Sequence, residues 1–377
     1  MQLETLQYKN KQWLLEENIL DKNKTDIVFT FGDRACINSK DSFKMLKSIY
    51  PHAQIVGCSS SGNILGESIS ESSMVATAIS FDKATVEISI EDFSNDDDLY
   101  EVSQKLVKGL PQKNLKHIFI LSDGLNMNGS ILAKGATDAL DTHIAITGGL
   151  AGDGVEFSET WVIANEEAKQ NRIVAVGFYG EGLTIESGCY SGWDEFGILR
   201  KITKSKDNIL YEIDGLPALE LYKKYLGVYG KDLPSSALDF PMSIKEHPNA
   251  DPIIRSVLAV DEEAQSLIFA GDVPTGYLAR LMRANADGLI TGSEKAAQQV
   301  RSVNQKNALG LVVSCVGRRL VLKQLSDEEL EAIGETLGSN VQLTGFYSYG
   351  ELAPFSNDVL TCSLHNQTMT LTVIFED

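Results

Sequence analysis

Cys315 is where this chain could do covalent chemistry. It ends an apolar, strand-like run at 309–313, stands where a helix could begin, and has Arg318 and Arg319 close behind it. A helix start and nearby cations both lower a thiol's pKa, and the thiolate is the nucleophile. A cysteine nucleophile also needs a base. The histidines at 52, 117, 143, 247 and 365 form no recognisable pattern with it. A cysteine-dependent hydrolase or transferase using Cys315 is therefore one alternative reading, a ligand-free interaction scaffold is another, and a buried structural cysteine is the plainer role for the residue. Cys58 carries the same ambiguity.

A second concentration of chemistry lies at 345–354, Gly-Phe-Tyr-Ser-Tyr-Gly-Glu-Leu-Ala-Pro. Tyr347, Ser348, Tyr349 and Glu351 crowd onto what reads as one loop after the apolar run 341–343. Loops held by a rigid sheet are common places for binding groups. The plain alternative is a tight glycine turn with core tyrosines. Asp123 and Asp153 occupy similar strand-to-loop junctions, where they could hold an amine or a metal, or cap turns. Arg318 could clamp a carboxylate or pair with Glu351. The spacing Gly-x-x-x-x-Gly suggests a phosphate loop, but Lys and Ser/Thr do not follow it. Asn63, Val155 and Glu351 stand there instead. Ser348 lies one residue too far along for a serine nucleophile elbow.

The elements that must position these residues recur three times, and a recurring unit decides a fold. Each unit reads as strand, helix, strand, glycine loop and further strands. The first has strands at 27–31 and 54–56 around a helix with Phe43, Leu46 and Ile49 on one face. The second has strands at 118–121 and 144–146 around a helix at 131–140. The third has strands at 309–313 and 341–343 around a helix at 327–337. The pairs Gly57/Gly62, Gly149/Gly154 and Gly345/Gly350 follow the second strands. The expected class is α/β: repeated β-α-β-β-β units forming mixed sheets flanked by helices. Parallel strands joined through a helix put their carboxyl ends on one side, where such sheets bind ligands. Cys58, Asp153 and Cys315 with Arg318 are expected to converge there. Between units two and three, a short helix at 216–226, a Gly/Pro/Ser-rich stretch at 227–252, a meander at 255–283 and a helix at 287–303 are expected.

The 377 residues carry a net charge of -19. That balance argues against nucleic acid and anionic membranes, which need clustered Lys and Arg. No apolar run approaches the roughly 20 residues of a membrane span, so no membrane insertion is expected. The N-terminus lacks a signal pattern. Five scattered cysteines fit reduced thiols rather than a disulfide framework or a zinc site. Together these imply a cytoplasmic protein. Residues 1–24 read as a polar helix with Trp13, Leu14, Leu15, Ile19 and Leu20 as its apolar stripe.

Six motifs in order resemble the FIST family: Val56-Gly57-Cys58-Ser59-Ser60-Ser61-Gly62, Gly148-Gly149-Leu150-Ala151-Gly152-Asp153, the run 209–218 (Ile-Leu-Tyr-Glu-Ile-Asp-Gly-Leu-Pro-Ala), Ser314-Cys315-Val316-Gly317-Arg318, the run 345–354, and Leu364-His365-Asn366-Gln367-Thr368-Met369-Thr370. The resemblance implies an N-terminal FIST domain at 25–215 and a C-terminal one at 216–377. It implies a bacterial, intracellular signal-transduction sensor that is not an enzyme. Such domains occur fused to histidine kinases, chemotaxis receptors or cyclic-di-GMP enzymes, and small ligands such as amino acids have been proposed for them. With no output domain after Phe375, the chain is expected to act alone and to regulate a partner histidine kinase. One stand-alone subgroup senses nitric oxide through haem, which makes haem b a possible cofactor with His247 or His365 as its ligand. The expected ligand-binding set is Cys58, Ser59, Asp153, Cys315, Arg318, Tyr347, Tyr349 and Glu351.

Overall fold

The computed structural model describes residues 1–140, 144–301, 307–356 and 359–376. His143, the last residues of the helix expected at 287–303 and the first of the strand expected at 358–364 lie outside them. The N-terminal helix is not formed. Strands β1 (Gln2–Lys9) and β2 (Gln12–Leu15) make a hairpin instead. Its two turn residues, Asn10 and Lys11, both take left-handed backbone (φ 53° and 61°), the geometry that matches strand twist in a two-residue turn. Alternation in β1 buries Leu6 and Tyr8, and Trp13 packs on Tyr8 across the hairpin with ring centres 5.2 Å apart. Leu14 and Ile19, read as part of a helix stripe, are exposed.

Unit one comprises β3 (Ile27–Gly32), α1 (Arg34–Ile37), α2 (Lys40–Ile49), β4 (Gln54–Ser59), β5 (Asn63–Leu65), β6 (Ser68–Ser70), β7 (Met74–Ser80) and β8 (Thr85–Asp92). Unit two comprises α3 (Leu99–Lys108), β9 (Leu115–Ser122), α4 (Gly129–Asp138), β10 (Ala145–Leu150), β11 (Val162–Ala164), β12 (Arg172–Tyr179) and β13 (Leu183–Tyr190). An insertion follows: β14 (Asp194–Lys206), β15 (Ile209–Ile213), β16 (Leu216–Pro217), α5 (Ala218–Leu226), β17 (Met242–Lys245), β18 (Ile253–Arg255), β19 (Val257–Asp261), β20 (Ser266–Phe269) and β21 (Leu278–Arg283). These strands form one sheet with its own core beneath α5. Helix α6 (Ala286–Gln298) leads into unit three: β22 (Ala308–Cys315), α7 (Val316–Leu322), α8 (Ser326–Leu337), β23 (Val341–Ser348), β24 (Gly350–Ser356), β25 (Val359–His365) and β26 (Met369–Glu376).

The three units share an architecture and trade strands. Each centres on a parallel pair, β3/β4, β9/β10 or β22/β23. An antiparallel strand of the same unit lies beside the first member: β7, β12 or β26. The strand beside the second member has crossed from another unit. Unit two's β11 pairs with β4, unit three's β24 with β10, and unit one's β5 with β23. The next outer position is exchanged in two sheets, where β8 joins β12 and β13 joins β26; in the other, the N-terminal strand β1 joins β7. The inner faces of all three sheets enclose one apolar core containing Phe29, Phe31, Phe119, Val313 and Phe346.

Register corrects the sequence repeat by one residue. The matching glycines are Gly57, Gly148 and Gly345, opposite Thr30, Ile120 and Val312. A Cβ at any of them would lie 1.8–1.9 Å from that partner's carbonyl oxygen, so no side chain fits. Counting from them, a ring of three equivalent hydrogen bonds ties the strand ends together. Ser61 N donates to Tyr347 O (2.9 Å), Gly152 N to Ser59 O (3.0 Å) and Tyr349 N to Leu150 O (3.1 Å). Each runs from the fourth residue after one glycine to the second residue after another, which defines a pseudo-threefold axis. The stretch 345–354 is thus not a loop. It is the end of β23 and the start of β24, with Tyr349 alone between them.

Candidate functional site

A cleft of about 660 Å³ opens beside this ring, at the carboxyl ends of β3, β4 and β22. Ser60, Ser61 and Gly62 form its floor where the chain crosses from β4 to β5. Arg34 enters from α1, Arg319 from α7, and 153–156 and Glu71 close two sides. Arg319 is the most tightly placed of these. Its guanidinium lies 5.5 Å from the centre of the Tyr347 ring and donates to Ser61 O and to the Glu71 carboxylate. Tyr347 is fixed in turn by its hydroxyl, which donates to Glu329 Oε1 (2.7 Å). Gly62 makes room: a Cβ there would stand 2.7 Å from Arg319 Nη1 and 3.1 Å from the Tyr347 ring. Arg34 lies 3.4 Å from Asp153 and 3.5 Å from Glu159 and donates to the Ser158 hydroxyl. Lys323 adds a third cation to the lining, and Asp33, Glu71, Asp153 and Glu156 supply four carboxylates. The cleft is amphoteric, with cations and anions interspersed and partly paired, Arg34 with Asp153 and Arg319 with Glu71.

Asp153 organises one wall. Its carboxylate accepts from the backbone of Phe157 (2.9 Å), Ser158 (3.0 Å) and Glu159 (2.9 Å), from the Ser158 hydroxyl (3.1 Å) and from the Tyr349 hydroxyl. Burial alone would raise its pKa. The bonds from Glu159, Tyr349 and Ser158 outweigh burial and hold it below the ordinary carboxylate value. Asp153 and Tyr349, both expected in the site, are therefore brought together, though with the acid occupied by its own loop.

The other expected residues are placed differently. Cys58 points into the central core, and burial pushes its thiol well up. Ser59 sits in the ring and accepts from Trp161 N through Oγ (3.0 Å). Cys315 precedes α7 as expected, but its thiol is pushed up, first by burial and then by the charge of Glu351. Desolvation exceeds the help from Arg318, so the expected activation is reversed. Arg318 faces away from the cleft and pairs with Glu329 (2.8 Å), not Glu351, and donates also to Leu289 O (2.8 Å), Ser293 Oγ (2.9 Å) and Ser191 O. Glu351 is buried, accepting from Ser348 Oγ (2.7 Å) and from Thr368 N (3.1 Å) and Oγ1 (2.8 Å). Burial lifts its pKa to about 7.

The two histidines proposed for haem do not fit an axial ligand of the cleft. Neither is among its lining residues. His247 is exposed in the insertion. His365 is buried with Nε2 3.1 Å from Ala353 O, packs against Phe355, and is pulled by burial to a pKa of about 4.

Sequence reasoning passed over Arg34, Glu71 and Lys323 and chose Arg318 over its neighbour Arg319. One signal was available. Asp33, Asp123 and Cys315 stand at matching positions three residues past Thr30, Ile120 and Val312. Aligning the units on those positions brings Arg34 and the 316–319 turn to the same end of the sheets.

Three strand-exchanging units with an amphoteric cleft at their strand ends define an α/β module. Family models for the FIST N domain and the FIST C domain match residues 26–216 and 218–354. The chain belongs to the FIST family, whose domains are associated with signal-transduction sensing. An uncharacterized protein of Methanocaldococcus jannaschii is 25% identical over 263 residues, covering 62% of this chain and 49% of that one. The chain thus spans about half the length of this curated relative. Among solved structures, a cyanuric acid hydrolase from A. caulinodans matches at a TM-score of 0.35 and 9% identity, over 95% of this chain and 91% of that chain. A second cyanuric acid hydrolase structure matches at 0.37 and 9%, over 100% and 99%. At these scores the likeness carries no argument. No described helix is long and apolar enough to cross a membrane.

Proposed function

We propose that the chain is a sensor whose ligand is a small zwitterion of the amino-acid type, bound in the 660 Å³ cleft. The carrying observation is Arg319, preorganised over Tyr347 at the cleft wall and bonded to an exposed carboxylate, Glu71. A ligand carboxylate can take the place of Glu71 as a two-pronged partner of the guanidinium. Asp33 and Glu156, in the same lining, then supply carboxylates for its ammonium. Occupancy alters signalling through a partner, a histidine kinase in the family's usual setting, provided the ligand binds the two protein states unequally. The buried, unactivated Cys315 favours this reading over a cysteine-dependent enzyme, and the lining favours an amino acid over haem.

A thermal-shift screen across the amino acids tests it. A ligand at 100 times its dissociation constant adds about 2.7 kcal/mol of stability. At least one amino acid should raise the melting temperature, and Arg319→Gln should abolish that shift. A flat screen sinks the proposal. Absence of a Soret band on haem titration is expected; its appearance would restore the haem version.

A further inference from the structure

We infer that the chain carries a second small-molecule site, for a planar, uncharged ring, on the far side of the Asp153 loop. A second cavity of about 350 Å³ lies there, between the start of α4 and the insertion. This is within the size range of ligand pockets, roughly 300–1,000 Å³. Its chemistry is opposite to that of the cleft: none of its lining residues is charged. An ionised ligand entering it would lose hydration without a counter-charge, so a neutral one is selected. The amides of Asn126 and Asn208 each give one N–H to Asn171 Oδ1 (2.7 Å) and Phe269 O (2.8 Å). A second N–H and the carbonyl of each amide are left to a ligand, which suits the mixed donors and acceptors on the edge of a heteroaromatic ring.

The mouth is built for a flat apolar face. Leu258 and Phe157, each 48% exposed, belong to the lining. Leu258 falls at an irregularity in the β19–β20 register, and bulges of this kind re-aim side chains. Phe157 has left-handed backbone (φ 49°), costly for an aromatic residue and concentrated at ligand clamps. Three bonds from its own loop to Asp153 hold it there. Its ring stacks on Tyr349 with centres 4.6 Å apart and planes 14° apart. A planar ring laid on Phe157 would extend that stack.

Saturation-transfer NMR on the full chain tests the site, with adenine, uracil and nicotinamide as probes and cyclohexanecarboxamide, which is uncharged but not planar, as control. At least one probe should receive transfer, and the control should receive several-fold less. Leu258→Trp, which narrows the mouth, and Phe157→Ala, which removes the platform, should each cut the transfer at least fivefold. Both positions are half exposed, and an unchanged melting temperature verifies that the variants fold. No transfer to any probe, equal transfer to cyclohexanecarboxamide, or transfer unchanged in both variants overturns the inference. The amino-acid shift of the cleft, measured separately on Leu258→Trp, should persist, so the two sites fail or survive independently.

Discussion

Adjacent arginines have opposite jobs in this protein. Arg319 faces the cleft, while Arg318 is fully buried against Glu329. Removing one member of a buried pair leaves the other charge uncompensated, at a cost of about 3–5 kcal/mol. Arg318→Ala should therefore lower stability by that amount in denaturant unfolding, whereas Arg319→Gln should remove ligand response with far less effect on folding. Glu351 gives a pH prediction. Its folded pKa is lifted to about 7 from an ordinary 4.5, so between those values the folded state holds a proton that the unfolded state has lost. Stability is then greatest below 4.5 for this group, falls as pH rises through the window and levels off above 7. The amplitude is on the order of 3 kcal/mol at about 1.4 kcal/mol per unit. Glu351→Gln should flatten that decline in melts between pH 5 and 8; an unchanged profile would show that Glu351 does not titrate there.

At the level of elements, the paired strands depend on glycines that no other residue can replace. An alanine at Gly57, Gly148 or Gly345 drives its Cβ into a backbone carbonyl that cannot swing aside. Each substitution should destabilise by about 3 kcal/mol or more, at the top of the overpacking range. Gly154→Ala is the contrast: its Cβ meets nothing within 4 Å, and only its φ of +83° opposes it, costing about 1 kcal/mol. Comparative urea denaturation separates the two outcomes. These elements were the legible part of the sequence. Runs such as Ile27-Val28-Phe29 and Leu311-Val312-Val313 are β-branched and aromatic, and a glycine recurs near the end of each second strand. The hairpin at the N-terminus was illegible because Lys11 gives no local warning of a left-handed turn, and because pairing with β7 overrides an apolar pattern that also suits a helix. The choice between Arg318 and Arg319 was equally hidden. It depends on the rotational setting of α7, which the Glu329 pairing fixes from a different helix.

Across the whole molecule, what sequence could not display was the exchange of strands. Nothing in Asn63–Leu65 announces that it pairs with β23, far along the chain. The family's two sequence domains are accordingly not two bodies in space. A fragment ending at residue 217 would leave β5 and β13 without β23 and β26, and β10 without β24. It should lack the sharp near-ultraviolet circular dichroism and cooperative melting of the full chain; a cooperatively melting fragment would contradict this topology.

The ring of three strand-end hydrogen bonds also bears on how quickly the protein forms. It can close only when all three units are present, because each donor finds its acceptor on a different unit. Loop-closure entropy must be met before those distant pairings are rewarded, and folds dominated by such pairings are slow. Refolding is thus expected in the slow regime for mixed and β-rich domains, with the last-made strands of unit three completing sheets begun by the first.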